Sequence, residues 1–182
     1  MALCYPLPHL CVTCYHEGQN VGKGVNRMKK ALMVLDVQSD FLGNTLDYIA
    51  PLCQRYLNEH GDAYDAIVLT QWVYDELGGM DTLLLSHPKA QVVRKSTYSA
   101  FTPEVQRVFA DKGIREVHLA GVDAEMGVLA TMFALLDAGY EVKILERLVT
   151  GYHGRNWEAM MIARHTLGPE NVLNIGGGPV YL

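Results

Sequence analysis

Cysteine is scarce in this chain, and it has no long apolar run. Of the four cysteines in 182 residues, three lie among the first 14 and the last is Cys53. We therefore expect no disulfide framework, and we expect a cytoplasmic location. No apolar stretch approaches the roughly 20 residues that span a bilayer, so we expect no membrane partner. The first residues lack a basic segment and contain Pro6 and Pro8, which argues against a signal peptide.

Positive charge is also in deficit. The net charge is −5 and the isoelectric point about 5.8, so no nucleic-acid partner is expected. The sequence has neither a GxGxxG loop after a strand nor a GxxxxGK(S/T) loop, which argues against the two common kinds of nucleotide binding. A GxSxG nucleophile elbow is missing as well. We expect the protein to work without a cofactor.

One segment invites a metal interpretation. Cys11 and Cys14 form a CxxC motif that is flanked by His9 and His16. No second cysteine pair accompanies it, and the surrounding residues show no structural period. The sequence therefore predicts no metal site.

The chain changes character near residue 28. Residues 1–27 show neither a helical nor a strand period, so we expect an N-terminal extension that is disordered or loosely docked. Residues 28–182 have the composition of one globular domain. This domain opens with the apolar run Ala31–Leu35, which is typical of a parallel strand buried on both faces.

Strands and helices then alternate along the domain. The sequence predicts further strands at 66–70, 91–94, 116–120, 141–145 and 171–175, and helices at 46–60, 102–113, 124–138 and 156–168. Pro51 fits the first of these helices only if it marks the true first turn. Thr102 and Pro103 form a good helix start, with a hydroxyl cap followed by proline. The pattern predicts an α/β fold whose six-stranded parallel sheet has helices on both faces.

Ligands of such sheets bind beyond the carboxyl ends of the strands. Asp36 ends the first strand, and Lys95 follows the third. Each has an ordinary alternative, since Asp36 could cap a turn and Lys95 could be solvated at the rim. The 121–123 turn precedes a helix N-terminus, which offers backbone N–H groups to an anion.

Taken together, three stretches resemble the isochorismatase-like superfamily, which includes the cysteine hydrolases and nicotinamidases. They are residues 35–41, 94–101 and 121–128 with the following helix, and the likeness covers nearly all of 28–182. The resemblance implies a three-layer α/β/α sandwich of Rossmann-like topology and a small-molecule substrate. It implies that Asp36 is the catalytic carboxylate and Lys95 its partner. It also implies a cis peptide bond between Val122 and Asp123, and a homo-oligomer, either a dimer or a tetramer.

The chain departs from the family pattern in two places. The nucleophilic cysteine of the family aligns with Gly127, and no cysteine follows Cys53. Nicotinamidases carry an Asp-x-His metal motif after the second strand, where this chain reads TQWVYD over 70–75. The resemblance therefore predicts neither a thioester mechanism nor a nicotinamidase.

Isochorismatases also lack the cysteine, and they cleave a vinyl ether without a covalent intermediate. By this precedent Asp36 would be the acid, Lys95 would orient it or hold a substrate carboxylate, and Gly127 would leave room for substrate or water. However, Asp123 and Glu125 stand where isochorismatases tend to have an aromatic residue and a histidine. If these two acids face the pocket, they would repel a dianion at short range. Glu125 could instead be an acid at a helix N-terminus, where the helix dipole favours it.

Two functional hypotheses follow. The first is a hydrolase of a small molecule that uses water as the nucleophile, with Asp36 as general acid and base. The second is a catalytically inactive relative that binds a small molecule or a protein. The presence of both Asp36 and Lys95 favours the first, whereas the missing thiol and the acidic turn favour the second.

Aromatic and loop residues complete the predicted site. Trp72 and Tyr74 follow the second strand, so they could line the pocket or pack at a dimer contact. His118 lies within a strand and is expected to be a core residue. The predicted substrate pocket consists of Phe41, Trp72, Tyr98, Met126 and Tyr152.

Overall fold

The computed structural model describes residues 27–74 and 82–175. Its sheet has six strands in the order β3-β2-β1-β4-β5-β6, and every neighbouring pair is parallel. The strands are β1 (Lys30–Leu35), β2 (Ala66–Trp72), β3 (Ala90–Lys95), β4 (Glu116–Gly121), β5 (Glu141–Val149) and β6 (Val172–Leu173). The helices are α1 (Ser39–Leu46), α2 (Ile49–His60), α3 (Pro103–Lys112), α4 (Leu129–Asp137) and α5 (Asn156–Leu167).

The central strand β1 separates two hydrophobic cores, because its side chains alternate between the faces of the sheet. Ala31, Met33 and Leu35 pack against α3, α4 and α5 on one face. Leu32 and Val34 pack against α1 and α2 on the other. Burial on both faces explains the continuous apolar run. The predicted three-layer α/β/α sandwich with a six-stranded parallel sheet is thereby confirmed.

The strand order reverses between β1 and β4, which are neighbours in the sheet but distant in sequence. In doubly wound sheets the connections from two such strands leave on opposite faces and open a crevice beyond their carboxyl ends. Asp36 follows β1, and the turn that begins at Gly121 follows β4. The topology therefore places both predicted site segments at this crevice.

Several element boundaries differ from those that the pattern predicts. The helix predicted over 46–60 corresponds to α2, which begins at Ile49, whereas α1 (Ser39–Leu46) is not predicted by the pattern and has non-helical torsion angles at Gly43. Pro51 does lie in the first turn of α2, where a missing N–H costs no hydrogen bond. The helix predicted over 124–138 opens with a π-helical turn, Ala124–Val128.

One strand is longer than the sequence pattern predicts, and one helix begins where the pattern predicts. Strand β5 continues to Val149, beyond the predicted end at 145, and its pairing with β4 shifts register between Leu119 and Gly121. Glu146 and Arg147 interrupt the apolar run of β5, so the sequence pattern does not reveal the full length of the strand. The helix start is as predicted, since the Thr102 hydroxyl accepts a hydrogen bond from the Val105 N–H at 3.5 Å and Pro103 is the first residue of α3.

Some predictions concern residues outside the described ranges. The CxxC segment and all of the predicted extension except Arg27 lie there, so the boundary between extension and domain stays a prediction. Within 27–74 and 82–175, no helix is both long enough and apolar enough to cross a membrane.

Candidate active site

Asp36 lies directly after β1 in a left-handed backbone conformation, with φ at 50°. This conformation costs a non-glycine residue free energy and often marks a functional position. The Asp36 N–H donates to the carbonyl of Thr70, and its Oδ1 accepts a hydrogen bond from the Thr70 hydroxyl at 2.7 Å. The residue is only 4% exposed. Neighbouring β2 therefore holds this carboxylate beyond the end of β1.

Lys95, the last residue of β3, reaches the same point from two strands away. Its Nζ lies 2.6 Å from Oδ2 of Asp36 and 3.0 Å from the carbonyl oxygen of Thr97. The Lys95 side chain is fully buried, so it is not the solvated rim lysine of the alternative interpretation. Trp72 pairs with Lys95 in the sheet register, and its ring centroid lies 4.6 Å from Nζ.

Burial opposes charge on both members of this pair. It raises the pKa of Asp36, while the charge and hydrogen bond of Lys95 and the Thr70 hydroxyl act against that rise. Burial also lowers the pKa of Lys95, against the attraction of Asp36. Such shifts bring a carboxylic acid and an amine closer in proton affinity. The pair is therefore suited to general acid–base chemistry.

A cavity of about 280 Å³ opens over the pair. Besides Asp36 and Lys95 it is lined by eight described residues: Phe41, Trp72, Tyr74, Tyr98, Val122, Asp123, Met126 and Gly127. The structure thus brings together all of the predicted site residues except Tyr152. It also places Tyr74 in the cavity wall, one of the two roles considered for it.

Tyr152 does not line this cavity, contrary to the prediction. The residue is 63% exposed, and its ring packs edge-on against His153 at a centroid distance of 5.3 Å. Its backbone N–H nevertheless donates to Oδ1 of Asp123 at 2.8 Å. Position in the loop after β5 correctly indicated the ligand side of the sheet, but loop position does not determine where a side chain points.

The turn after β4 is built around Gly121, Val122 and Asp123. The peptide bond between Val122 and Asp123 is cis, and the Val122 N–H donates to the Leu35 carbonyl at 2.9 Å. The Asp123 carboxyl is half-buried and faces the cavity. Burial raises its pKa, the Tyr152 N–H opposes that rise, and the negative charge of Glu125 adds to it. The cavity therefore contains a second carboxyl group.

Glu125 faces away from the cavity. Its two carboxylate oxygens are buried and have no hydrogen-bond partner within the described part of the chain, and the same holds for Oδ1 of Asn156. A side chain at Gly151 would collide with this carboxylate. Of the two acids in the turn, Asp123 is the one that a ligand would meet.

Gly127 leaves room in the cavity wall. A Cβ atom built there would lie 3.4 Å from the carbonyl oxygen of Val122 and farther from every other described neighbour, which is ordinary contact. By contrast, Cys53 lies on the buried face of α2, where burial raises the pKa of its thiol to about 12. A thiol in that state is neither exposed nor ionised.

Neither a metal site nor a catalytic histidine is found among the described residues. No three side chains of His, Cys, Asp or Glu gather there in a way that could hold a metal ion. The residues present therefore do not fit the metal that the nicotinamidase motif would bind. His118 is a buried core residue, as predicted, with its ring nitrogens 2.8 Å from the Tyr64 hydroxyl and from Oε1 of Glu116.

Solved structures of other proteins share this fold. An isochorismatase-like hydrolase from Alkaliphilus metalliredigens is 20% identical with a TM-score of 0.66, over 76% of this chain and 91% of that one. A nicotinamidase from Staphylococcus aureus is 20% identical with a TM-score of 0.66, over 82% and 100%. A pyrazinamidase of Pyrococcus horikoshii, solved in complex with zinc, is 24% identical with a TM-score of 0.64, over 77% and 96%.

At these identities the structural likeness shows the fold alone. A search of curated proteins found no match. The family model of the isochorismatase domain, however, matches residues 30–168. Since this match spans most of the chain, the protein belongs to the isochorismatase family of hydrolases.

Proposed function

We propose that this protein hydrolyses a small molecule without a cysteine nucleophile, with water as the attacking group. The observation that carries the proposal is the buried pair of Asp36 and Lys95 at the floor of a cavity. Burying two opposite charges is costly, and fold stability alone does not require it. Such a pair beside a cavity is typical of a site whose chemistry depends on proton transfer.

In this mechanism Asp36 is the general acid and base. Its carboxylate takes a proton from a water molecule as the water oxygen attacks the electrophilic carbon of the substrate. The same carboxyl group then returns the proton to the leaving group. Lys95 holds the carboxylate in place and balances its charge, while Gly127 leaves space for the substrate beside them.

Asp123 narrows the choice of substrate. The cavity carries two carboxyl groups and one ammonium group from the described residues. A dianion such as isochorismate would meet repulsion from Asp123 at short range. Uncharged carboxamides, ureas or esters of small size are better candidates.

The test is hydrolysis of a panel of small carboxamides, ureas, esters and isochorismate by the wild-type protein and by Asp36→Asn. We expect turnover of at least one neutral compound and a loss of about 100-fold or more in the variant. Asp62→Asn is the matched control, because Asp62 is exposed and its ion pair with Lys89 lies at the surface. Equal activity of Asp36→Asn and wild type would refute the role of Asp36.

The alternative function is binding without catalysis. It is favoured by the lack of a cysteine among the described residues that line the cavity and by the acidic Asp123 there. In that case no member of the panel would be turned over, yet small ligands would still raise the melting temperature.

A further inference from the structure

Four aromatic side chains line the cavity described above. The Phe41 and Tyr74 rings meet edge to face with centroids 6.1 Å apart, and Tyr74 lies 6.3 Å from Trp72. Trp72 in turn lies 5.5 Å from Tyr98. All four rings line the same space. The faces of aromatic rings carry partial negative charge and attract cations, most strongly when several rings act together.

The charges inside the cavity also favour a cationic ligand. Lys95 is the one cation among the described lining residues, and Asp36 compensates it at 2.6 Å. Asp123 adds a negative charge. Its carboxylate accepts a hydrogen bond from the Tyr152 backbone N–H, which is a neutral donor. His153 acts on Asp123 electrostatically, but it is not among the lining residues. The cavity is therefore left with one uncompensated carboxylate alongside four aromatic rings.

The size of the cavity limits its ligand. A volume of about 280 Å³ equals that of about nine water molecules, at roughly 30 Å³ for each in the liquid. A trimethylammonium group with a short side chain fills such a space, whereas a peptide or a nucleotide does not. A bound cation would displace water from the cavity, which strengthens its attraction to Asp123.

We propose that the ligand of this site carries a small organic cation, a substituted ammonium group that binds at the rings of Phe41 and Tyr74, since Lys95 already contacts the Trp72 ring at 4.6 Å, with Asp123 as its counter-ion. The proposal rests on the proposed function only in taking this cavity as the active site. Cation binding itself requires no turnover. With the cationic group at these rings, the neutral scissile group of the same molecule would extend toward Asp36.

The experiment compares choline with 3,3-dimethyl-1-butanol, an uncharged isostere in which carbon replaces nitrogen. Binding to the full chain is measured by calorimetry, and by Trp72 fluorescence in a Trp157→Phe background, since Trp157 is 70% exposed. We expect choline to bind about tenfold more tightly than the alcohol. Asp123→Asn should reduce this ratio to about threefold or less, and Tyr74→Leu should weaken choline binding in calorimetry.

The matched control is Asp111→Asn, which removes the same charge from an exposed position on α3. It should leave both affinities unchanged. The proposal is overturned if the two probes bind equally, if acetate binds more tightly than choline, or if neither probe binds up to about 50 mM. For this purpose the panel also contains trimethylammonium analogues of its neutral carboxamides and esters. Choline binding without hydrolysis of any panel member would refute the proposed function alone. Hydrolysis of the neutral compounds without preference for their cationic analogues would refute this inference alone.

Discussion

At the residue scale, the pairing of Asp36 with Lys95 determines what each can do. Both are 4% exposed, and neither could remain charged in that environment alone. The sequence identified the two as candidates through their positions at strand ends. The 2.6 Å separation follows from the fold, because the two residues are 59 positions apart in the chain and strands β1 and β3 are separated by one strand in the sheet.

Lys95→Met tests the interdependence of this pair. Removing the ammonium group leaves a buried carboxylate without its partner, so we expect the free energy of unfolding to fall by about 3–5 kcal/mol. The double variant with Asp36→Asn should recover part of the loss, because it removes the unpaired charge. Urea unfolding at neutral pH measures both. A single-variant loss below about 1 kcal/mol would mean that water reaches the pair.

Gly127→Cys tests whether the cavity accepts a thiol at the position to which the resemblance assigns the family nucleophile. The nearest atom to the new Cβ is 3.4 Å away, so the variant should fold normally. In a background with Cys4, Cys11 and Cys14 changed to serine, iodoacetamide should alkylate residue 127 and spare Cys53, which is 1% exposed. Peptide mass spectrometry distinguishes the two sites. Preferential labelling of Cys53 would contradict the geometry.

At the scale of elements, the carboxyl ends of β1 and β4 carry the site because the backbones of these strands come very close together. Gly121 has φ at 105°, and a Cβ there would lie 2.8 Å from the carbonyl carbon of Leu35 and closer to its oxygen and nitrogen. Only glycine permits this approach. The turn that contains Asp123 is thereby set directly beside Asp36.

Gly121→Ala should therefore destabilise the protein severely, by about 4 kcal/mol or more, or prevent folding. Gly139→Ala is the control, since Gly139 also has a positive φ of 82° but has no other described atom within 4 Å of the built Cβ. This control substitution should lower the free energy of unfolding by about 1 kcal/mol, because its only effect is to place alanine in a backbone conformation that favours glycine. Thermal unfolding followed by circular dichroism compares the two. Similar melting temperatures would show that the strands separate easily.

At the scale of the whole molecule, stability should depend on pH through His118. Burial lowers the pKa of this histidine from 6.5, and the hydrogen bond and charge of Glu116 oppose the shift. The unfolded chain therefore binds a proton near pH 6.5 that the folded chain binds only at lower pH. The histidine's contribution to stability is complete above about pH 6.5 and is lost as the pH falls through the lower folded pKa.

His118→Gln should make the free energy of unfolding less dependent on pH below about pH 6.5. Urea unfolding at several pH values measures the slope for wild type and variant. His60→Gln is the control, because the His60 side chain is 52% exposed. An unchanged slope in His118→Gln would contradict the lowered pKa.

Assembly also belongs to this scale, and a dimer or tetramer remains a prediction, as does the cytoplasmic location. Exposed apolar side chains lie together beside the cavity, with Met126 38% and Phe133 43% exposed. We expect analytical ultracentrifugation to detect an oligomer that Phe133→Glu dissociates. Val92→Glu, which alters a 48% exposed position on edge strand β3, should not. A monomeric wild type at micromolar concentration would contradict the prediction.

The sequence by itself predicted the class of fold of this protein and, through its family resemblance, the candidate site residues Asp36 and Lys95. Strands buried on both faces require continuous apolar runs, such as Ala31–Leu35, and these runs are visible without coordinates. Parallel strands then place their following residues at one edge of the sheet, which brought Asp36 and Lys95 under consideration together. Such inferences depend on local patterns and on rules of chain connection.

Tertiary structure alone decided the character of the site. It turned the Asp123 carboxyl into the cavity and Glu125 out of it, directed the Tyr152 ring to solvent, and set four aromatic rings around the cavity. The direction of a loop side chain depends on packing between elements that are remote in sequence, and no local pattern encodes that packing. For the same reason the balance of charge in the cavity, and with it the choice of ligand, arises only in the folded chain.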